Sequence, residues 1–162
     1  LELSAGTMRH FYQIILIHVL AGLSFFMVAC TEGSCFDETE SQVKSTFYDK
    51  QTLSPHAPDS VTLYGINMDS LMIYDNAINQ KIIEFPLYGE DSRRKFTLII
   101  NGIYDTVEFA YNSSIHLISK ECGYTFYYNL DTVWYSTNAI DSVSITKKTV
   151  TTFNEENMRI FY

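Results

Sequence analysis

The chain has 162 residues, 11 Lys and Arg against 19 Asp and Glu, a formal net charge of −8 and 46% apolar content. That length holds one domain, and low charge combined with 12 Tyr, 11 Phe and one Trp excludes a disordered chain. The acidic balance argues against nucleic acid or anionic lipid as partners held by charge, and the single basic cluster, Arg93-Arg94-Lys95, is too short to reverse it.

Met8-Arg9-His10 opens a segment that is almost wholly apolar from Phe11 to Ala29, with Arg9 as its only Lys or Arg. A basic start, an apolar run and small residues near a cut are what export requires. Leu1 to Thr7 precede Met8 and read as an upstream extension. The apolar run ends in Met27-Val28-Ala29-Cys30, which resembles the lipobox of bacterial lipoproteins. In that pattern a small residue precedes a Cys that is lipidated and becomes the first residue of the mature chain. Ala29 and Cys30 match, whereas Met27 stands where Leu is usual. The resemblance implies thioether-linked diacylglycerol on Cys30 and a membrane anchor through it, each buried methylene contributing about 0.8 kcal/mol. Two other readings stay open. Phe11 to Ala29 is 19 residues and nearly spans a bilayer, although Gly22, Ser24 and His18 weaken it as a spanning helix. An ordinary secretory signal cut near the same place is the other.

Thr31 to Glu40 carries four acids and no base. This resembles the surface-export signal of Bacteroidetes lipoproteins, and a solvated acidic tether accounts for the same residues. The expected organisation is an extension plus helical signal peptide over 1–29, a lipidated Cys and acidic tether over 30–41, and a β domain over 42–162.

With lipid on Cys30, Cys35 and Cys122 remain as an even pair in an oxidising compartment. A bridge between them would close a loop of 88 residues, which stabilises by about 4–5 kcal/mol on the chain-entropy account. Sequence alone does not supply its geometry. Such a bridge would keep the domain within about 20 Å of the bilayer, at roughly 3.4 Å per residue. Two Cys without a CxxC pair, and scattered His, lack zinc spacing; no metal or cofactor is expected.

After the tether, Val43, Ser45 and Phe47 alternate with Lys44, Thr46 and Tyr48. Pro55 and Pro58 bracket a loop leading into Val61-Thr62-Leu63-Tyr64, and a short segment follows near Leu71 to Tyr74. Ile82 to Leu87 reads as an edge strand, because Pro86 cannot donate to a ladder. Phe96, Leu98 and Ile100 alternate before Asn101-Gly102, and Val107, Phe109 and Tyr111 after it. Asn-Gly takes positive φ readily, so a type I′ hairpin is predicted. Asn112-Ser113-Ser114 is expected to reverse the chain into Ile115 to Ile118. Tyr124, Phe126, Tyr128 and Leu130 then share one face, and Val133 to Tyr135, Ser142 to Thr146 and Met158 to Tyr162 complete the set. Nine or ten short antiparallel strands predict an all-β, β-sandwich-like single domain.

Several pieces in this order resemble an uncharacterised family of Bacteroidetes lipoproteins: Cys35 soon after the lipobox, Phe85-Pro86-Leu87, Asp105 to Tyr111, Ser119-Lys120-Glu121-Cys122-Gly123-Tyr124, and Glu156 to Tyr162. The resemblance implies compartment and anchor, and no reaction.

Among chemical candidates, His116 lies between Ile115 and Leu117 and faces opposite to both in a strand, and His56 sits in the Pro loop. Asp69, Asp75, Glu90 and Asp91 lie near turns. No nucleophile elbow, zinc-protease or phosphate-loop motif occurs. Tyr124, Tyr127, Tyr128, Trp134 and Tyr135 cluster within twelve residues, and Tyr127, Trp134 and Tyr135 are the candidates for stacking on a ligand. The sequence therefore favours a non-enzymatic, protein-binding or assembly accessory in the outer membrane over a carbohydrate-binding module, and either over a hydrolase.

Overall fold

The computed structural model describes residues 10, 12–19, 35–67 and 72–162. The chain divides into two units, Leu1–Cys35 and Phe36–Tyr162. In the first, residues 12–19 are helical and exposed. No helix among the described residues is long and apolar enough to cross a membrane. Cys30 and the rest of the lipobox, like Asp69, lie outside the described residues.

The second unit is built from ten strands: β1 (Gln42–Tyr48), β2 (Val61–Gly65), β3 (Met72–Ala77), β4 (Ile82–Pro86), β5 (Arg93–Ile100), β6 (Ile103–Ser119), β7 (Gly123–Tyr135), β8 (Ser142–Ile145), β9 (Thr149–Val150) and β10 (Met158–Phe161). They form two sheets, ordered β4-β1-β10-β8 and β3-β2-β5-β6-β7-β9. The fold is all-β, as the alternating pattern predicts.

Alternation sets the inner faces. Val43, Ser45 and Phe47 point inward from β1, and Val107, Phe109 and Tyr111 from β6. Phe85 of β4 meets Phe96 and Phe109 of the other sheet edge-on, with centroids 5.2 and 5.1 Å away. These three rings join the sheets, in the geometry aromatic quadrupoles favour. Pro86 ends β4 at a sheet edge, where its missing N–H costs no ladder bond. Asn101 and Gly102 have φ of 51° and 83°, and the predicted I′ hairpin joins β5 to β6.

Two expectations are corrected. The pairing is not antiparallel throughout: β1 and β10 run parallel, Ser45 opposite Met158 and Tyr48 opposite Phe161. Parallel neighbours need a long connection, and here it is nearly the whole domain. Nor are all strands short, because Asn112-Ser113-Ser114 makes no turn. Asn112 donates to Asp131 at 2.9 Å and Ser113 to the Gly89 carbonyl at 2.6 Å, so both polar side chains find partners with the strand intact. β6 therefore runs 17 residues and β7 13. Between Ala110↔Thr132 and Tyr111↔Leu130 the register shifts, leaving Asp131 as an extra residue. That bulge reverses the alternation: Tyr128 and Leu130 face the core before it, Val133 and Tyr135 after it.

Phe85→Ala removes the ring shared by both sheets and should lower unfolding stability by about 3–5 kcal/mol. Urea denaturation with an unchanged m-value would measure it.

Candidate functional site

Because the strands of each sheet are not consecutive in sequence, the chain crosses repeatedly between the sheets. Each crossing leaves backbone N–H and C=O groups without a ladder, and when buried they need other partners. Side chains of β6 and β7 supply many of them.

Asp105 lies in phase with Val107, Phe109 and Tyr111, so it points inward and is 2% exposed. Its carboxylate accepts from Ser136 Oγ (2.6 Å) and from the amides of Asn138 (2.9 Å), Ala139 (2.7 Å) and Ile140 (2.9 Å). Those residues form the crossing from β7 to β8. Burial alone would raise the Asp105 pKa, but the Ser136 hydroxyl and the three amides outweigh it and hold the carboxyl below its ordinary value. Ile140, fastened this way, fills the core.

The crossing from β4 to β5 is held similarly. Tyr128 Oη donates to the Leu87 carbonyl at 2.9 Å. Tyr111 Oη donates to the Tyr88 carbonyl at 3.1 Å and accepts from the Tyr88 amide at 3.3 Å. Burial, with the neighbouring Tyr111, pushes the Tyr128 hydroxyl up to about 12. Gly89 follows directly beneath Phe126, so close that a Cβ would collide with the ring and force it to shift. Arg94 lies over the Tyr88 ring at 3.8 Å and pairs with Asp91 at 2.6 Å.

Asn157, 3% exposed, secures a third place. Its Nδ2 donates to the Lys147 and Thr149 carbonyls, and its Oδ1 accepts from the Lys44 amide of β1.

The sequence-named residues fall in several places. Cys35 and Cys122 form a disulfide. Cys122 lies in the turn between β6 and β7, where Gly123 has a φ of 73° and open space around it. Its requirement is the left-handed backbone, not close approach. Tyr127 is half-buried and stacks on His116, centroids 4.1 Å apart and planes 15° off parallel. Trp134 faces outward with the Arg93 guanidinium 4.8 Å from its ring, and that Arg pairs with Glu108 at 3.4 Å. Tyr135 packs on the core side, turned inward by the bulge. Tyr127 and Trp134 are thus separated by roughly 20 Å of strand, and the three rings form no common platform. His56 Nδ1 is bonded to Tyr162 Oη at 2.7 Å. Among the described residues no three His, Cys, Asp or Glu converge as a metal site. Asp91 lines a shallow cavity of about 320 Å³ with Arg94, Tyr88, Phe126 and Tyr128.

Two surface features were not singled out in the sequence. β7 is thirteen residues long, but among the described residues the pairing on its outer side is confined to Tyr128 to Leu130, through the two-residue β9 and the Lys148 carbonyl, which accepts from the Leu130 amide at 2.9 Å. The far end of the β6–β7 hairpin also leaves Ile115, Leu117 and Tyr124 exposed by 69, 49 and 73%. The signal available in the sequence is the phase of Ile115 and Leu117, which continue the odd-numbered row of Val107, Phe109 and Tyr111; the expected turn at Asn112 concealed it.

Asp105→Asn would set amide protons against the Ala139 and Ile140 N–H groups, and should cost about 2–4 kcal/mol. Because the folded carboxyl titrates lower than the unfolded one, its contribution is complete above pH about 4 and is lost as pH falls through the folded value. An acid titration of stability should therefore be flatter in the variant. Folded Tyr128 titrates above the unfolded value of about 10, so its contribution is complete below pH about 10 and is lost as pH rises through about 12. Tyrosinate absorbance followed beside unfolding should show this loss reduced in Tyr128→Phe.

No curated protein and no solved structure matches the chain. Residues 60–162 match DUF6452, a family of unknown function. That stretch holds β2 to β10 with Asp105, both fastening tyrosines, Asn157 and Cys122. The chain belongs to the DUF6452 family.

Proposed function

We propose that the chain is a lipid-anchored envelope protein, held in the outer membrane through Cys30, whose β domain binds a protein partner and carries out no chemistry of its own. The anchor rests on Met27 to Cys30, whose resemblance to a lipobox is joined by an oxidised Cys35–Cys122 pair, and disulfides persist outside the cytosol. The acidic run Thr31 to Glu40 fits the surface-exported lipoproteins of Bacteroidetes.

The observation that carries the binding role is the open outer edge of β7. An unpaired edge presents backbone donors and acceptors that an extended segment of another chain can complete. The bulge at Asp131 and its charge limit that pairing to short stretches, which guards against end-to-end aggregation. Outward-facing Trp134 would flank a strand added beside Thr132 to Tyr135 and supply an aromatic anchor.

Alkyne fatty acid fed to cells should label the wild type and not Cys30→Ala; label persisting in the variant refutes the anchor. A photo-crosslinking residue in place of Thr132 should yield a discrete protein adduct in intact envelopes, and the same residue in place of Asp75 on distant β3 should not. No adduct at 132, or identical adducts at both places, would remove the binding role.

A further inference from the structure

We propose that the far end of the β6–β7 hairpin lies on the bilayer surface, with Ile115, Leu117 and Tyr124 seated among the acyl chains of zwitterionic lipid. This rests on the anchored reading above and names a second contact with the same membrane.

The inward face of β6 and β7 continues past the body of the domain. Ile115 stands opposite Phe126 and Leu117 opposite Tyr124, so these side chains extend the row that buries Phe109, Tyr111 and Tyr128. Within the body that row faces the other sheet. Beyond Phe126 it is exposed. His116 and Tyr127 occupy the opposite face and stack on each other, leaving the two faces of the hairpin chemically distinct.

Chain length says what covers the apolar face. Cys122 sits in the turn of this hairpin and is bonded to Cys35, five residues after Cys30. Fully extended, that span reaches roughly 17 Å. Ile115 is about 13 Å further along the arm from the turn, four strand steps back. A lipid on Cys30 thus keeps the whole face within reach of the bilayer. Tyr124 has the amphipathic ring that favours a membrane interface. Glu121 in the turn and Asp37, Glu38 and Glu40 nearby in sequence would repel anionic headgroups, so the contact depends on apolar area and is insensitive to salt.

The lipidated full chain reconstituted in phosphatidylcholine vesicles, with or without bromine on the acyl chains, tests this. Trp134→Phe removes the native indole, and Leu117→Trp or His116→Trp places one on either face of the arm. Emission from Leu117→Trp should shift to shorter wavelength and be quenched by brominated chains several-fold more than emission from His116→Trp. Tyr124→Trp, on the same face as Leu117, should repeat the result and guards against misfolding of one variant. Equal quenching on both faces, or none, overturns the proposal, as does an intermolecular crosslink through position 117 that pairs two copies by this face. Intact mass of the same sample reads the acylation of Cys30. A bare Cys30 removes the anchored reading itself, whereas an acylated Cys30 with unquenched indoles removes only the docking.

Discussion

The carboxylate of Asp105 is the fixed point on which the sandwich turns. It stands at the end of a buried apolar row, where an unpartnered charge would be expelled, and it persists because four donors of a single connection converge on it. The exchange is mutual: the carboxylate is stabilised by the loop, and the loop amides would have no other buried acceptor. Tyr111, Tyr128 and Asn157 repeat the solution elsewhere with neutral groups. Apolar burial supplies most of the favourable free energy of such a domain, but it is non-directional. These polar fastenings decide where each strand changes sheet.

Strand-forming segments were legible because alternation is a local signal. Val43 to Phe47, Phe96 to Ile100 and Val107 to Tyr111 each declare their inner face within a few residues, and Asn101-Gly102 declares its turn. The fastenings were not so legible. Asp105 carries the correct phase, two residues before Val107, yet nothing nearby in sequence announces the donors thirty and more residues on. The Asn112 to Ser114 stretch shows the opposite failure: turn-prone residues remain in a strand, with Asn112 and Ser113 satisfied from a distance by Asp131 and the Gly89 carbonyl. Register and bulges belong to pairs of strands, which one segment read alone does not contain. The stacking candidates suffered for the same reason, since a single extra residue at Asp131 turns Tyr135 inward and Trp134 outward, off the face that Tyr127 and Tyr135 would otherwise share.

The long β6–β7 hairpin unites these observations. Its middle forms the centre of the core, its side chains hold two crossings, its outer edge is open, and its far end bears the disulfide and an apolar face. One element thereby couples the interior to both surfaces proposed to meet other molecules.

The adjacency of β1 and β10 also governs when this domain is able to form. β1 lies between β4 and β10, so the smaller sheet is incomplete until β10 is in place. Such distant pairing carries a loop-closure cost that the local hairpins of the larger sheet do not, and it slows the completion of the fold.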